Sequence, residues 1–138
     1  MKYQQFEDLP VWQEAARLYD QLEALLEDKS FNASSGFRDQ LERAVLSISN
    51  NIAEGFERGT TRELVRFIYI ARGSAGEVRS MLTLQERCAR REGRPLELQS
   101  RLAKLKASAL SCSRQLSAWA RSTQKSPIRG PQYLGSPD

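Results

Sequence analysis

From Leu98 to Trp119 the apolar residues Leu98, Leu102, Leu105, Ala109, Cys112, Leu116 and Trp119 follow one another at steps of four, three, four, three, four and three. A repeat averaging 3.5 residues keeps a single stripe along an α-helix. It cannot hold one face of a strand, whose side chains alternate from side to side. Such a stripe is the seam of a left-handed helix bundle. No alternating Val, Ile and Thr pattern competes elsewhere, and Asn-Gly and Asp-Gly hairpin signals are missing.

Three further segments carry helical periodicity. The first opens at Asp8-Leu9-Pro10, where Asp8 is placed to cap and Pro10 suits a first turn. Trp12, Ala15, Tyr19, Leu22 and Leu26 form its stripe, widened by Val11, Leu18 and Leu25. It ends near Asp28, before a loop that offers a capping serine. The second runs from about Phe37 to Glu57, with Phe37, Leu41, Ala44, Val45, Ile48, Ile52 and Phe56 on one face. Asn51 and Gly55 fall at the edge of that face, flanked by Ser47 and Glu54. A buried amide without a partner costs about 1–3 kcal/mol, so Asn51 is predicted to find one. Gly59 is placed to end this helix in the left-handed conformation, and Thr60 with Glu63 fits a capping box for the next.

The third segment extends to about Arg90. Leu64, Phe67, Ile68, Ala71, Ala75, Val78, Leu82 and Gln85 share one face. A second stripe holds Val65, Tyr69, Gly76 and Thr83, and a third holds Ile70, Met81 and Leu84. A helix apolar on most sides is buried on most sides, which predicts a subunit interface through Val65, Tyr69, Gly73 and Gly76. Gly73 and Gly76 each cost a helix about 1 kcal/mol relative to Ala, a cost that fits a close backbone approach. Arg91-Glu92-Gly93-Arg94-Pro95 is the last break. The expected architecture is all-α, an antiparallel up-down four-helix bundle over residues 1–122. Residues 123–138, with three prolines and two glycines, are expected to form a flexible tail.

Composition narrows the chemistry. The chain has 138 residues, the length of one domain, and no histidine. That removes the commonest general base and metal ligand. Cys88 and Cys112 are too few for a disulfide framework or a metal site and read as small apolar groups. No apolar run is long enough to span a bilayer, and the opening residues lack an apolar signal core, so a cytoplasmic protein is expected. The net charge of +4 is unevenly spread. Residues 1–60 carry six Lys/Arg against eleven Asp/Glu, and residues 61–122 carry thirteen against five. Such polarity suits a nucleic-acid face or electrostatic pairing of the two halves.

Three motifs resemble a known family. Phe6-Glu7-Asp8-Leu9-Pro10-Val11-Trp12 resembles the Phe-x-Asp-Leu-x-Val-Trp opening of the 23S rRNA intervening-sequence proteins. Residues 47–56, Ser-Ile-Ser-Asn-Asn-Ile-Ala-Glu-Gly-Phe, resemble the family's Ser-Ile-x-x-Asn-Ile-Ala-Glu-Gly signature. Residues 67–77, Phe-Ile-Tyr-Ile-Ala-Arg-Gly-Ser-Ala-Gly-Glu, resemble its Phe-x-x-Ile-Ala-x-Gly-Ser-x-x-Glu motif. The resemblance implies a four-helix bundle that assembles as a ring, a homopentamer, with no enzymatic activity. It also implies kinship with the accessory variability proteins of diversity-generating retroelements, which bind a reverse transcriptase and its template RNA. The basic Arg101, Lys104, Lys106 and Arg114 and the Pro-containing extension depart from the family pattern.

The functional expectations follow. Asn51, Glu54, Ser74 and Glu77 read as a structural polar network, beside close packing at Gly55 and Gly73. As a carboxylate pair, Glu54 and Glu77 could do acid–base or di-metal work, but the helical di-metal pattern wants Glu-x-x-His. The serines have no recognisable base, and no phosphate loop follows a strand. No cofactor, metal or small-molecule substrate is therefore expected. Arg87, Arg90, Arg91 and Arg94 cluster at one helix turn and, with Arg101 and Lys104, form the candidate RNA or ribonucleoprotein surface. An adaptor for a protein partner, such as a reverse transcriptase, is the alternative.

Overall fold

The computed structural model describes residues 3–124, and among them the chain forms four α-helices and no strand. A 3₁₀ turn at Phe6–Asp8 leads into α1, Pro10–Glu27. α2 spans Ser35–Glu57, α3 Thr61–Arg91 and α4 Leu96–Gln124. α3 packs on both α2 and α4, and α1 packs on α4 and α2. Side-chain pairs join the neighbouring helices. Gln40 meets Glu77 and Ser47 meets Ser74. Glu86 meets Lys106 and Tyr69 meets Gln124. Asp28 meets Arg101 and Gln21 meets Ser108.

Every residue of the α4 seam is buried, and the same step carries on to a buried Thr123. Thr123 and Gln124 therefore belong to α4 rather than to the tail, while residues 125–138 lie outside the described residues. The α2 face is buried as expected, with Phe37 half-buried at its start. In α1 the fully buried line is Val11, Ala15, Leu18, Leu22 and Leu25. Trp12, Tyr19 and Leu26 lie at its margin, so the stripe is centred one residue earlier than expected.

Two helix ends depart from expectation. Asp8 does not cap α1: it sits in the 3₁₀ turn, and Leu9 takes the N-cap position without a side-chain bond. Gly59 does not take the left-handed conformation, because α2 stops at Arg58 in extended backbone. The left-handed glycine is Gly93, at φ 63°. There Arg94 N–H donates to Ala89 C=O at 2.9 Å and Gly93 N–H to Arg90 C=O at 3.3 Å, the paired bonds of a Schellman cap. Ser34 caps α2 by accepting from Phe37 N–H, and Thr60 caps α3 by accepting from Glu63 N–H.

At Gly55 the backbone of α2 lies close against α3. A Cβ there would lie 2.8 Å from Phe67 Cβ and 3.4 Å from the Leu64 carbonyl oxygen. A Cβ on Gly73 or Gly76 would meet nothing within 4 Å, so neither glycine serves a close approach inside the chain.

Candidate nucleic-acid interface

The six basic residues singled out in the sequence divide into two groups. Arg94 is committed to Glu92, with Nη2 at 2.9 Å from the carboxylate. Arg101 is committed to Asp28 at 3.3 Å and to Glu97 at 3.5 Å. Arg87, Arg90, Arg91 and Lys104 are exposed, and among the described residues no carboxylate lies within ion-pair distance of them. Arg91 instead donates to Cys88 Sγ at 3.3 Å. Lys106 is neutralised by Glu86 at 2.8 Å. The α3–α4 turn is thus less cationic than its composition implies.

A second basic site escapes a reading along the chain. Arg72 and Arg79 on α3 and Arg114 and Arg121 on α4 line one groove between the two helices, joined by Ser113 and Ser117. The groove has a volume of about 480 Å³, and no Asp or Glu lines it. Each pair lies seven residues apart on its own helix, two turns along one face. That spacing is visible in the sequence. What brings the pairs together is the lateral packing of α3 on α4.

The polar residues of the two central motifs separate into local groups. Asn51 Nδ2 donates to Ser47 Oγ at 3.0 Å and to Ser47 C=O at 2.7 Å. Ser47 Oγ lies 2.7 Å from Ser74 Oγ across the α2–α3 contact. Glu77 accepts from Gln40 Nε2 at 2.9 Å. Glu54 faces Arg58 at 3.4 Å, and Arg58 reaches Glu63 at 3.6 Å while its guanidinium covers the Phe67 ring. Gln40 and Glu54, each beside one of these groups, are fourteen residues apart on α2, about 20 Å along the helix. Glu54 and Glu77 are therefore not a carboxylate pair.

The sequence model of the 23S rRNA-intervening sequence proteins matches residues 7–117. The chain belongs to that family. The match takes in nearly all of the three motifs, the Gly55 contact and most of the arginine groove. No curated protein matches the sequence significantly. Among the described residues no helix is long and apolar enough to cross a membrane.

Of the residues expected at an interface, Val65, Tyr69 and Gly76 share one stripe of α3. Tyr69 is 42% exposed, and its hydroxyl accepts from Gln124 of α4 at 3.3 Å, under the Arg72 guanidinium. Val65 is half-buried, and Gly76 opens onto the arginine groove. The most exposed large apolar residues of α3 include two outside that set, Ile70 at 40% and Leu84 at 55%.

Proposed function

We propose that this chain is a non-enzymatic helical protein that associates with RNA or a ribonucleoprotein in the cytoplasm. In this reading it is an antiparallel up-down four-helix bundle, and copies of it close into a ring of five. The single observation that carries the RNA reading is the segregation of charge. Thirteen of the Lys/Arg residues lie between 61 and 122, on two helices that pack side by side and the turn that joins them, against five Asp/Glu. Repeated around a ring, that surface attracts phosphate through counterion release and favours charge and shape over base sequence. The name of the family, which speaks of an intervening sequence of 23S rRNA, accords with an RNA partner.

Assembly is assigned to α3. The exposed Ile70 and Leu84, with Met81 and Gly73 between them, suit a contact with a second copy better than the Tyr69–Gly76 side, which α4 and the arginine groove already use. The separation of Glu54 from Glu77, each held by its own local partner, supports structural roles for both in place of a catalytic pair.

RNA retention measured from low to high salt tests this reading. Affinity should fall steeply as salt rises. A protein that retains no RNA at low salt, yet captures a reverse transcriptase, would make it a protein adaptor instead.

A further inference from the structure

The arginine groove between α3 and α4 holds four guanidiniums with no carboxylate in its lining to balance them. Arg72 is met by neutral groups: its Nη1 donates to Ser117 Oγ at 3.4 Å and its guanidinium lies over the Tyr69 ring at 5.5 Å. Arg79 is the more telling member. Its Nε is closed off from solvent and has no hydrogen-bond partner among the described residues. An unsatisfied donor of this kind is costly, and in native proteins it marks a place where an acceptor belongs. Arg58 Nε and Arg101 Nε are closed off in the same way, but each faces a carboxylate at ion-pair distance, and Arg79 has none among the described residues.

The lining selects the ligand. Guanidiniums present planar forks of donors that match phosphate oxygens, and they do so better than lysines. Ser113 and Ser117 add hydroxyl donors. No aromatic side chain lines the groove, so it offers no platform for stacking bases. The two arginines of each helix stand about 10 Å apart along its axis, enough for more than one phosphate. Gly76 keeps the wall open, because a Cβ there would project into free space.

We propose that this groove is the seat of the RNA phosphodiester backbone, binding successive phosphates through Arg72, Arg79, Arg114 and Arg121. The proposal rests on the RNA reading above and moves its centre away from the α3–α4 turn.

The test uses the full chain and a fluorescently labelled oligouridylate, titrated over a range of salt concentrations. Arg79→Gln/Arg114→Gln is compared with the turn variant Arg87→Gln/Arg90→Gln/Arg91→Gln/Arg94→Gln. The groove variant removes two charges and the turn variant four. The groove variant should nevertheless lose more affinity. Its slope of log affinity against log salt should become shallower by about 0.7 for each phosphate it no longer neutralises. Gly76→Glu leaves every arginine in place but puts a carboxylate among them, and it should reduce binding as well. It also covers the case in which the double variant folds poorly. Groove variants that bind like the parent, with the turn variant weakened, would overturn the groove and leave RNA association standing. A parent that binds no oligouridylate but binds pyrophosphate, with that binding lost in Arg79→Gln/Arg114→Gln, would overturn the RNA backbone as the ligand in favour of a free anion.

Discussion

The hydroxyls of Ser47 on α2 and Ser74 on α3 stand 2.7 Å apart. Ser74 Oγ also donates to Ile70 C=O at 3.2 Å, which uses its one proton. Ser47 must then be the donor between them, while its own oxygen accepts from Asn51 at 3.0 Å. The result is a directed chain, Asn51 to Ser47 to Ser74 to Ile70, in which each hydroxyl donates once and accepts once. It ties Asn51 and Ser47 of one family motif to Ser74 of the other.

Breaking that chain should have a measurable and non-additive cost. Ser74→Ala leaves the half-buried Ser47 hydroxyl without its acceptor and should destabilise by about 1 kcal/mol. Ser47→Ala should cost a similar amount. The double variant should cost less than the sum of the two, because the second change removes a group already unpaired. Urea denaturation of the parent, both single variants and the double variant provides the cycle. Full additivity would show that the two hydroxyls do not interact.

The glycines should respond in opposite directions. Gly55→Ala brings a Cβ to 2.8 Å from Phe67 Cβ, which cannot swing aside as a flexible chain end would. Overpacking of this kind costs about 1–3 kcal/mol. Gly73→Ala meets nothing within 4 Å and should raise helix stability by about 0.5–1 kcal/mol in an isolated chain. If a second copy approaches Gly73, the same substitution should weaken assembly. Thermal melts and sedimentation of the two variants together separate these effects.

Acid should loosen the junction of α1 and α4. The Ser30 hydroxyl and then the Ser30 backbone N–H hold the Asp28 carboxyl below its ordinary 3.8, with Arg101 helping and partial burial opposing. A depressed carboxylate contributes stability that is present above the unfolded value and is lost as pH falls through the folded one. Asp28→Asn should therefore be less stable than the parent at neutral pH. The gap should close as pH drops below 3.8. Denaturation midpoints of both proteins across that range check it, and a gap independent of pH would contradict it.

The two thiols should differ in reactivity. Burial raises the Cys112 thiol to about 12, reinforced by Glu14 and only partly opposed by Arg17. Its thiolate, the reactive form, is then scarce at neutral pH. Cys88 is half-buried near the α3–α4 turn. A thiol reagent at neutral pH should modify one cysteine in the native protein and both after denaturation. Equal labelling of both without denaturant would show that α4 opens readily.

The fold is largely legible in the sequence because its strongest signal is one-dimensional. The α4 seam needs only spacing along a single helix, and every residue in it is buried. Caps are less legible. Gly59 and Gly93 both follow helices, and only the backbone path distinguishes the extended exit at Arg58 from the left-handed one at Gly93. The candidate site is legible only in part. Arg87, Arg90 and Arg91 cluster along the chain and stand out for that reason. Arg72, Arg79, Arg114 and Arg121 are scattered in sequence, and only the packing of α3 on α4 assembles them. Glu54 and Glu77 illustrate the reverse case, in which suggestive residues on neighbouring helices stand at different levels.

Sedimentation velocity of the full chain mixed with labelled RNA, followed at the protein and RNA wavelengths and at low and high salt, tests the central claim most directly. A single boundary at a multiple of 15.7 kDa, carrying the RNA at low salt and releasing it at high salt, is the result expected of a ring with a phosphate-binding surface. A protein boundary at 15.7 kDa, with the RNA sedimenting alone at every salt concentration, would contradict both the assembly and the RNA association.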